Sequence, residues 1–167
     1  MAIMTRQKGL INADLWGKTL GVVGVGRIGS NVSKRMNTAF NMRVLGYDPY
    51  VDAEKLAGYG VQKMDRLEEM LPQCDFIAVH CSGGAETRHL INARTLALMK
   101  PGAYLINTAR GTIVDEAALI EALRRKQIAG AAVDVYDPEP PRPGNPLLHM
   151  ENVIVTPHFC AMTEESL

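Results

Sequence analysis

A doubly wound α/β fold, a parallel sheet with helices on both faces, is predicted by three features of this 167-residue sequence. Short apolar segments alternate with amphipathic ones along the chain. The run Gly24-Val25-Gly26-Arg27-Ile28-Gly29 follows directly on the apolar stretch Leu20-Gly21-Val22-Val23. An acid, Asp48, closes a second apolar stretch nineteen residues after Gly29. Short strands separated by helices require parallel pairing, because each crossover returns the chain in the same direction.

The elements follow in order. Leu20-Gly21-Val22-Val23 reads as the first strand. The next helix places Ile28, Val32, Met36 and Phe40 four apart, a spacing that predicts one buried face. Arg43-Val44-Leu45-Gly46-Tyr47 reads as the second strand. After the turn at Pro49-Tyr50 come a short helix over 52–57, a brief helix over 67–71 and a strand over 75–79. A helix over 92–99 is stopped by Lys100-Pro101-Gly102, and 103–107 forms the next strand. Asp115 caps a helix that buries Leu119, Ala122 and Leu123; 129–133 and Val153-Ile154-Val155 are the last strands. The loop over 137–145 holds Pro138, Pro140, Pro141 and Pro143, with Pro146 at its exit. Proline fixes φ and removes donors, so this is a stiff, extended connection. Glu139 within it is either a carboxylate held still or a solvated surface acid.

The glycine turn predicts a dinucleotide. The first glycine makes the tight turn, the second lets a pyrophosphate approach backbone N–H groups, and the third packs helix on strand. The phosphates would sit at a helix N-terminus, where free N–H groups and the helix dipole favour negative charge. Asp48 would accept hydrogen bonds from both hydroxyls of the adenosine ribose and repel the extra phosphate of NADP. NAD is the expected cofactor, in a Rossmann arrangement.

The composition narrows the class. Hydrophobic residues make up 47% and charged residues 22%, with acids and bases equal at 18 each, as in a globular domain with a real core. A formal net charge of zero and the lack of a Lys/Arg run argue against general binding to nucleic acid or an anionic membrane surface. The opening residues 1–8 hold no apolar block of signal-peptide length, and no apolar run reaches the roughly 18 residues of a membrane span, so a cytoplasmic location is expected. Cys74, Cys81 and Cys160 are widely spread, with no zinc-ligand spacing to a histidine; free thiols and no metal site are expected.

Taken together, five ordered motifs resemble the coenzyme-binding domain of the D-isomer-specific 2-hydroxyacid dehydrogenases. They are Gly24 to Gly29; Tyr47-Asp48-Pro49; Lys100-Pro101-Gly102 leading to Asn107-Thr108-Ala109-Arg110-Gly111; Val133-Asp134-Val135-Tyr136 followed by Glu139-Pro140; and Thr156-Pro157-His158. The resemblance runs from Leu15 to the chain end. It implies that Arg110 holds the substrate's carboxylate and carbonyl oxygen, for which a planar guanidinium fork is suited. His158 is implied as the acid/base that takes the hydroxyl proton as hydride leaves the substrate, or returns it in reverse. Glu139 is implied as the acid that orients the histidine ring and favours its protonated form.

Cofactor contacts are implied at Gly24, Gly26, Arg27, Ile28 and Gly29 for the pyrophosphate, and at Asp48, Pro49 and Cys81 toward the adenosine. Thr108, Ala109, Arg110, Asp134 and His158 are implied along the nicotinamide half. Asp134 has an alternative as a turn cap. His80, His89 and His149 match no catalytic position. After His80 the chain reads Cys81-Ser82-Gly83-Gly84-Ala85-Glu86-Thr87, where the family usually runs through a proline, a leucine and a threonine. Adjacent glycines loosen that loop, which puts its cover of the cofactor in question.

The resemblance also implies a substrate domain built from both ends of a longer chain. Neither part is expected within residues 1–167, which would form a single NAD-binding domain, with 163–167 where the return crossing begins. Half a cleft cannot exclude water, so the chain alone is expected to turn over little. A small 2-hydroxy or 2-oxo acid substrate and a homodimer are implied. A second expectation, from another class, is an NAD-sensing corepressor-like binding module with the same Arg, Glu and His. A third, a hydrolase of adenosyl-homocysteine type, lacks support in the pattern around Glu139 and His158.

Overall fold

The computed structural model describes residues 14–162. The opening residues 1–8 and the closing residues 163–167 discussed above lie outside that range. Seven strands form one sheet in the order β3-β2-β1-β4-β5-β6-β7. These are β1 (Thr19–Val23), β2 (Arg43–Tyr47), β3 (Val61–Lys63), β4 (Phe76–Val79), β5 (Tyr104–Asn107), β6 (Gly130–Val133) and β7 (Val153–Val155). Every pairing is parallel. The helices are α1 (Arg27–Phe40), α2 (Ala53–Ala57), α3 (Leu67–Met70), α4 (Ala93–Leu96) and α5 (Glu116–Arg124).

Successive side chains of a strand point to opposite faces, and along the inner strands of the sheet both faces carry buried residues. Leu20, Val22, Val44 and Ala78 join one apolar cluster, with Leu56 of α2 and Met42. Val23, Leu45, Ile77 and Val79 join the other, with Met70 of α3, Leu96 of α4 and Leu119 of α5. A fully buried aliphatic side chain contributes ~1.5–3 kcal/mol, so the two layers supply most of the driving force. Side-chain caps fix where helices start. Asp52 accepts from Lys55 N at 2.7 Å, Asp115 accepts from Ala118 N at 3.1 Å, and Asn92 forms a capping box with Thr95.

Two expectations are corrected. The face of α1 that goes inward is Gly29, Ser30 and Ser33, while Ile28 is 61% exposed and Phe40 37%. The first turn of α1 lies too close to the sheet for large side chains: a Cβ on Gly29 would stand 2.2 Å from the Gly24 carbonyl oxygen. Val32 and Met36 are only partly buried, against the cluster that holds Val22. The sequence reading also passed over β3. It has three residues, of which only Val61 is buried, and so lacks the apolar run that marks the other strands.

The strand order reverses between the paired strands β1 and β4, from which the later strands are added toward opposite edges of the sheet. In open parallel sheets a crevice forms outside the carboxyl ends of such strands and takes the ligand. Loops after β1, β2 and β4 meet at this point. Those after β5, β6 and β7 lie beside it along the same edge.

Candidate functional site

The glycine turn leaves β1 at Gly24, whose φ of +87° is one that L side chains rarely adopt. Its N–H donates to Tyr47 O at 2.9 Å, and a Cβ there would fall 2.5 Å from the Cys81 backbone. Gly24 thereby brings the ends of β1, β2 and β4 together. Gly26 differs from Gly24 and Gly29, because a Cβ on it would meet nothing within 4 Å. Among the described residues, the space in front of Gly26 is open. Gly26 is also the N-cap of α1, with no side chain capping the helix and no acid in the first turn. The leading N–H groups of a 14-residue helix thus face open space, as an anion site requires. The turn fits a dinucleotide pyrophosphate, with Arg27 and Ile28 contributing backbone rather than side chain.

Asp48 is buried at the end of β2. Its Oδ2 accepts from Val25 N at 2.8 Å and its Oδ1 from Tyr50 N at 2.9 Å. Each oxygen keeps a second lone pair for a further donor. A cavity of about 570 Å³ opens beside it, lined by five predicted residues: Gly24, Gly26, Asp48, Pro49 and Cys81. The loop over 82–87, whose cover of the cofactor the sequence put in question, forms a further wall, together with Tyr50, which sequence reasoning missed. The Tyr50 hydroxyl donates to Glu86 Oε2, spanning the two sides. That loop is not slack in the structure. Thr87 Oγ1 donates to Ser82 O at 2.7 Å, and Gly83 packs on Arg110, where a Cβ would stand 2.9 Å from Cγ. Cys81 is half-buried, and burial raises its thiol pKa. Cys74 lies deeper and is pushed up to about 12. His80 is part-buried with its pKa lowered by burial, and its Nε2 finds no hydrogen-bond partner among the described residues.

Thr108, Ala109, Arg110, Asp134 and His158 do not line that cavity. They follow β5, β6 and β7, three neighbouring strands whose ends share the same edge. Buried Asn107 shapes the first of these loops, accepting from Ala109 N at 3.1 Å and donating to Arg110 O at 3.0 Å. Arg110 is exposed, with Nη1 on its neighbour's carbonyl, Ala109 O, at 2.6 Å. The next residue must be glycine: a Cβ on Gly111 would lie 1.9 Å from Tyr136 O.

His158 Nδ1 lies 2.5 Å from Glu139 Oε1, so Nε2 is the ring nitrogen left for another partner. Of the two readings of Glu139, the paired one matches this geometry. His158 has φ +61°, a left-handed conformation that needs support. Asp134 supplies it. The buried carboxylate accepts from Thr156 Oγ1 at 2.5 Å, Phe159 N at 3.0 Å and Cys160 N at 3.1 Å, bracketing His158 on both sides. Burial pushes the Asp134 pKa up. The Thr156 hydroxyl, the Cys160 thiol and the two N–H groups outweigh it and hold the acid far below the usual carboxylate range. Asp134 thus braces the turn that carries His158.

An all-parallel sheet with a glycine turn at its switch point and an acid closing β2 defines a dinucleotide-binding α/β domain. The chain belongs to the D-isomer specific 2-hydroxyacid dehydrogenase family, as its NAD binding domain, matched over residues 2–160. It is 48% identical over 153 residues to D-3-phosphoglycerate dehydrogenase of Methanocaldococcus jannaschii, covering 92% of this chain and 29% of that protein. With the Homo sapiens protein of the same name it shares 48% identity over 160 residues, covering 96% and 30%. The NAD-complexed D-isomer specific 2-hydroxyacid dehydrogenase of Lactobacillus delbrueckii ssp. bulgaricus is similar at a TM-score of 0.84 and 34% identity, over 97% of this chain and 52% of that one. The chain thus spans about 30% of the length of the curated relatives it matches. NAD is the cofactor of the family domain.

Proposed function

We infer that this chain is the coenzyme half of an NAD-dependent oxidoreductase acting on a small D-2-hydroxy acid or its 2-oxo counterpart. The His158–Glu139 pair, on the same carboxyl edge of the sheet as Arg110 and the glycine turn, carries this reading. When bound, NAD supplies the hydride acceptor. Gly24, Gly26, Gly29 and the N-terminus of α1 would hold its pyrophosphate, and Asp48 its adenosine ribose. Thr108 and Ala109 would flank the nicotinamide half.

The remaining steps belong to side chains of this chain. Arg110 binds the substrate carboxylate through its guanidinium fork, leaving its present hold on the Ala109 carbonyl to do so. His158 accepts the substrate hydroxyl proton at Nε2, since Nδ1 is engaged by Glu139. Glu139 stabilises the imidazolium that results and fixes the plane of the ring. Asp134 holds the backbone turn that aims it. In the reductive direction the proton returns from Nε2 to the nascent hydroxyl.

The named relatives are dehydrogenases, which favours the enzymatic reading over the regulatory one. Residues 14–162 provide one wall of a cleft, and hydride transfer needs a closed, dry site. The 167-residue chain alone is therefore proposed to turn over little. A homodimer is proposed as well, and sedimentation as a monomer across the micromolar range would contradict it.

The test is a chimera in which this chain replaces the matching stretch of the Methanocaldococcus jannaschii protein, assayed beside the isolated chain. Oxidation of D-2-hydroxy acids by the chimera is expected, falling ~10²–10⁴-fold in His158→Gln. A folded chimera that binds NAD yet oxidises none, or whose rate ignores His158→Gln, contradicts the proposal.

A further inference from the structure

We propose that Glu86 is a second specificity-determining residue of the dinucleotide crevice, held across it by Tyr50 so as to exclude cofactors phosphorylated on the adenosine ribose. The proposal rests on the reading of this cavity as the adenosine site. Asp48 alone explains a preference for NAD by its own hydrogen bonds and charge. The structure places another carboxylate on the opposite wall.

The geometry is continuous. Asp48 Oδ1 accepts from the Tyr50 N–H at 2.9 Å, and the Tyr50 side chain reaches over to Glu86 Oε2 through its hydroxyl. Glu86, Asp48 and Tyr50 all line one cavity, and among the described residues no lysine or arginine lines it with them. The crevice thus carries two negative charges with no lining cation to offset them. A ribose phosphate would bring up to two more, into a recess where field lines are focused by apolar walls.

The loop sequence accounts for why this task falls to Glu86. At Gly84 a Cβ would meet nothing within 4 Å, and at Gly83 the space is taken by the stem of Arg110. Neither position presents a side chain to the cavity. Glu86 is the charged side chain that this segment contributes to the wall. The hydrogen bond to Glu86 and then the negative charge of that carboxylate raise the Tyr50 pKa, so the hydroxyl stays the donor of the pair.

Calorimetric titration of the 167-residue chain with NAD, and with NADP in competition against NAD, tests this. The readout is the ratio of the two dissociation constants in wild type, Glu86→Gln, Asp48→Ala and the double variant. At low salt Glu86→Gln is expected to narrow the preference for NAD by about five- to tenfold. A residual preference should survive Asp48→Ala and vanish in the double variant. Because Glu86 is exposed, its share should shrink at high ionic strength, a response that a purely structural role would not give. NAD binding with a ratio that stays within twofold of wild type in Glu86→Gln, in both backgrounds, overturns the proposal. Failure of the wild-type chain to bind NAD overturns the reading of the cavity, and the proposal with it.

Discussion

Glu139 and His158, nineteen residues apart, meet at 2.5 Å because a proline-stiffened loop after β6 and a turn after β7 converge on one sheet edge. Both side chains are partly exposed, at 38% and 42%, so the pair contributes little to stability. Glu139→Gln is expected to lower stability by less than about 1 kcal/mol in thermal unfolding. It should nevertheless change the hydrogen bond at His158 Nδ1. Nitrogen-detected NMR of His158 should show Nδ1 losing its carboxylate-bound signature, and an unaltered spectrum would remove Glu139 from the site.

Asp134 is the larger structural investment. Asp134→Asn removes a charged acceptor from three donors in the 156–160 turn, and a loss of ~1.5–3 kcal/mol is expected. The pH dependence has a definite sign. The folded-state pKa lies below the unfolded value of about 3.9, so the contribution is fully present above that value and is lost as pH falls toward the folded-state pKa. The stability gap between wild type and Asp134→Asn should be constant from about pH 5 to 7 and narrow below about pH 4. A gap independent of pH would show that the carboxylate charge plays no part.

Two glycines separate folding from binding. Gly111→Ala forces a methyl group onto the Tyr136 carbonyl and should destabilise by more than about 3 kcal/mol, or prevent folding. Gly26→Ala meets open space at a φ of −73° that alanine adopts freely. It should keep stability within about 1 kcal/mol, the range of an N-cap change. NAD affinity should fall by at least tenfold, since the methyl group fills the room that the pyrophosphate needs. Retained affinity in a folded Gly26→Ala would move the phosphates elsewhere.

Thiol chemistry offers an independent reading of the crevice. Cys74 is fully buried and its pKa of about 12 keeps it a thiol, so alkylation should reach it only on unfolding. Cys81 lines the cavity and is half-buried; it should react slowly, and more slowly still with NAD present. Peptide mapping after timed alkylation checks both. Equal Cys81 labelling with and without NAD would contradict its place beside the cofactor.

The sheet and the site were legible in the sequence to different degrees. β1, β2, β4, β5 and β6 stood out because a strand inside a parallel sheet is a largely apolar run; edge strand β7 stood out by its apolar Val-Ile-Val sequence although Ile154 is exposed, and β3, with Val61 its one buried residue, has no such run. The inward face of α1 was misread because apolar spacing assumes that large residues go inside. Where a helix lies hard against a sheet, Gly29, Ser30 and Ser33 are what fits. At the site, Gly24, Gly26 and Asp48 announced themselves by spacing and chemistry. Glu139 drew notice by its proline-stiffened loop, but its pairing with His158, like the roles of Arg110 and His158, was reached only through resemblance, since no local pattern tells that loops after different strands will share an edge. Tyr50 and Glu86 gave no signal: their relation is a contact across a cavity between residues far apart in sequence.

The central claim, that the glycine turn and Asp48 form an NAD site within this chain, is tested most directly by calorimetric titration of the purified chain and Asp48→Ala with NAD. Circular dichroism should accompany it, because Asp48 also holds the Val25 and Tyr50 N–H groups. Saturable binding to the wild type, weakened by at least tenfold in a folded Asp48→Ala, is the expected result. A folded wild-type chain that gives no heat with NAD, or a folded variant that binds as tightly as wild type, would contradict the account.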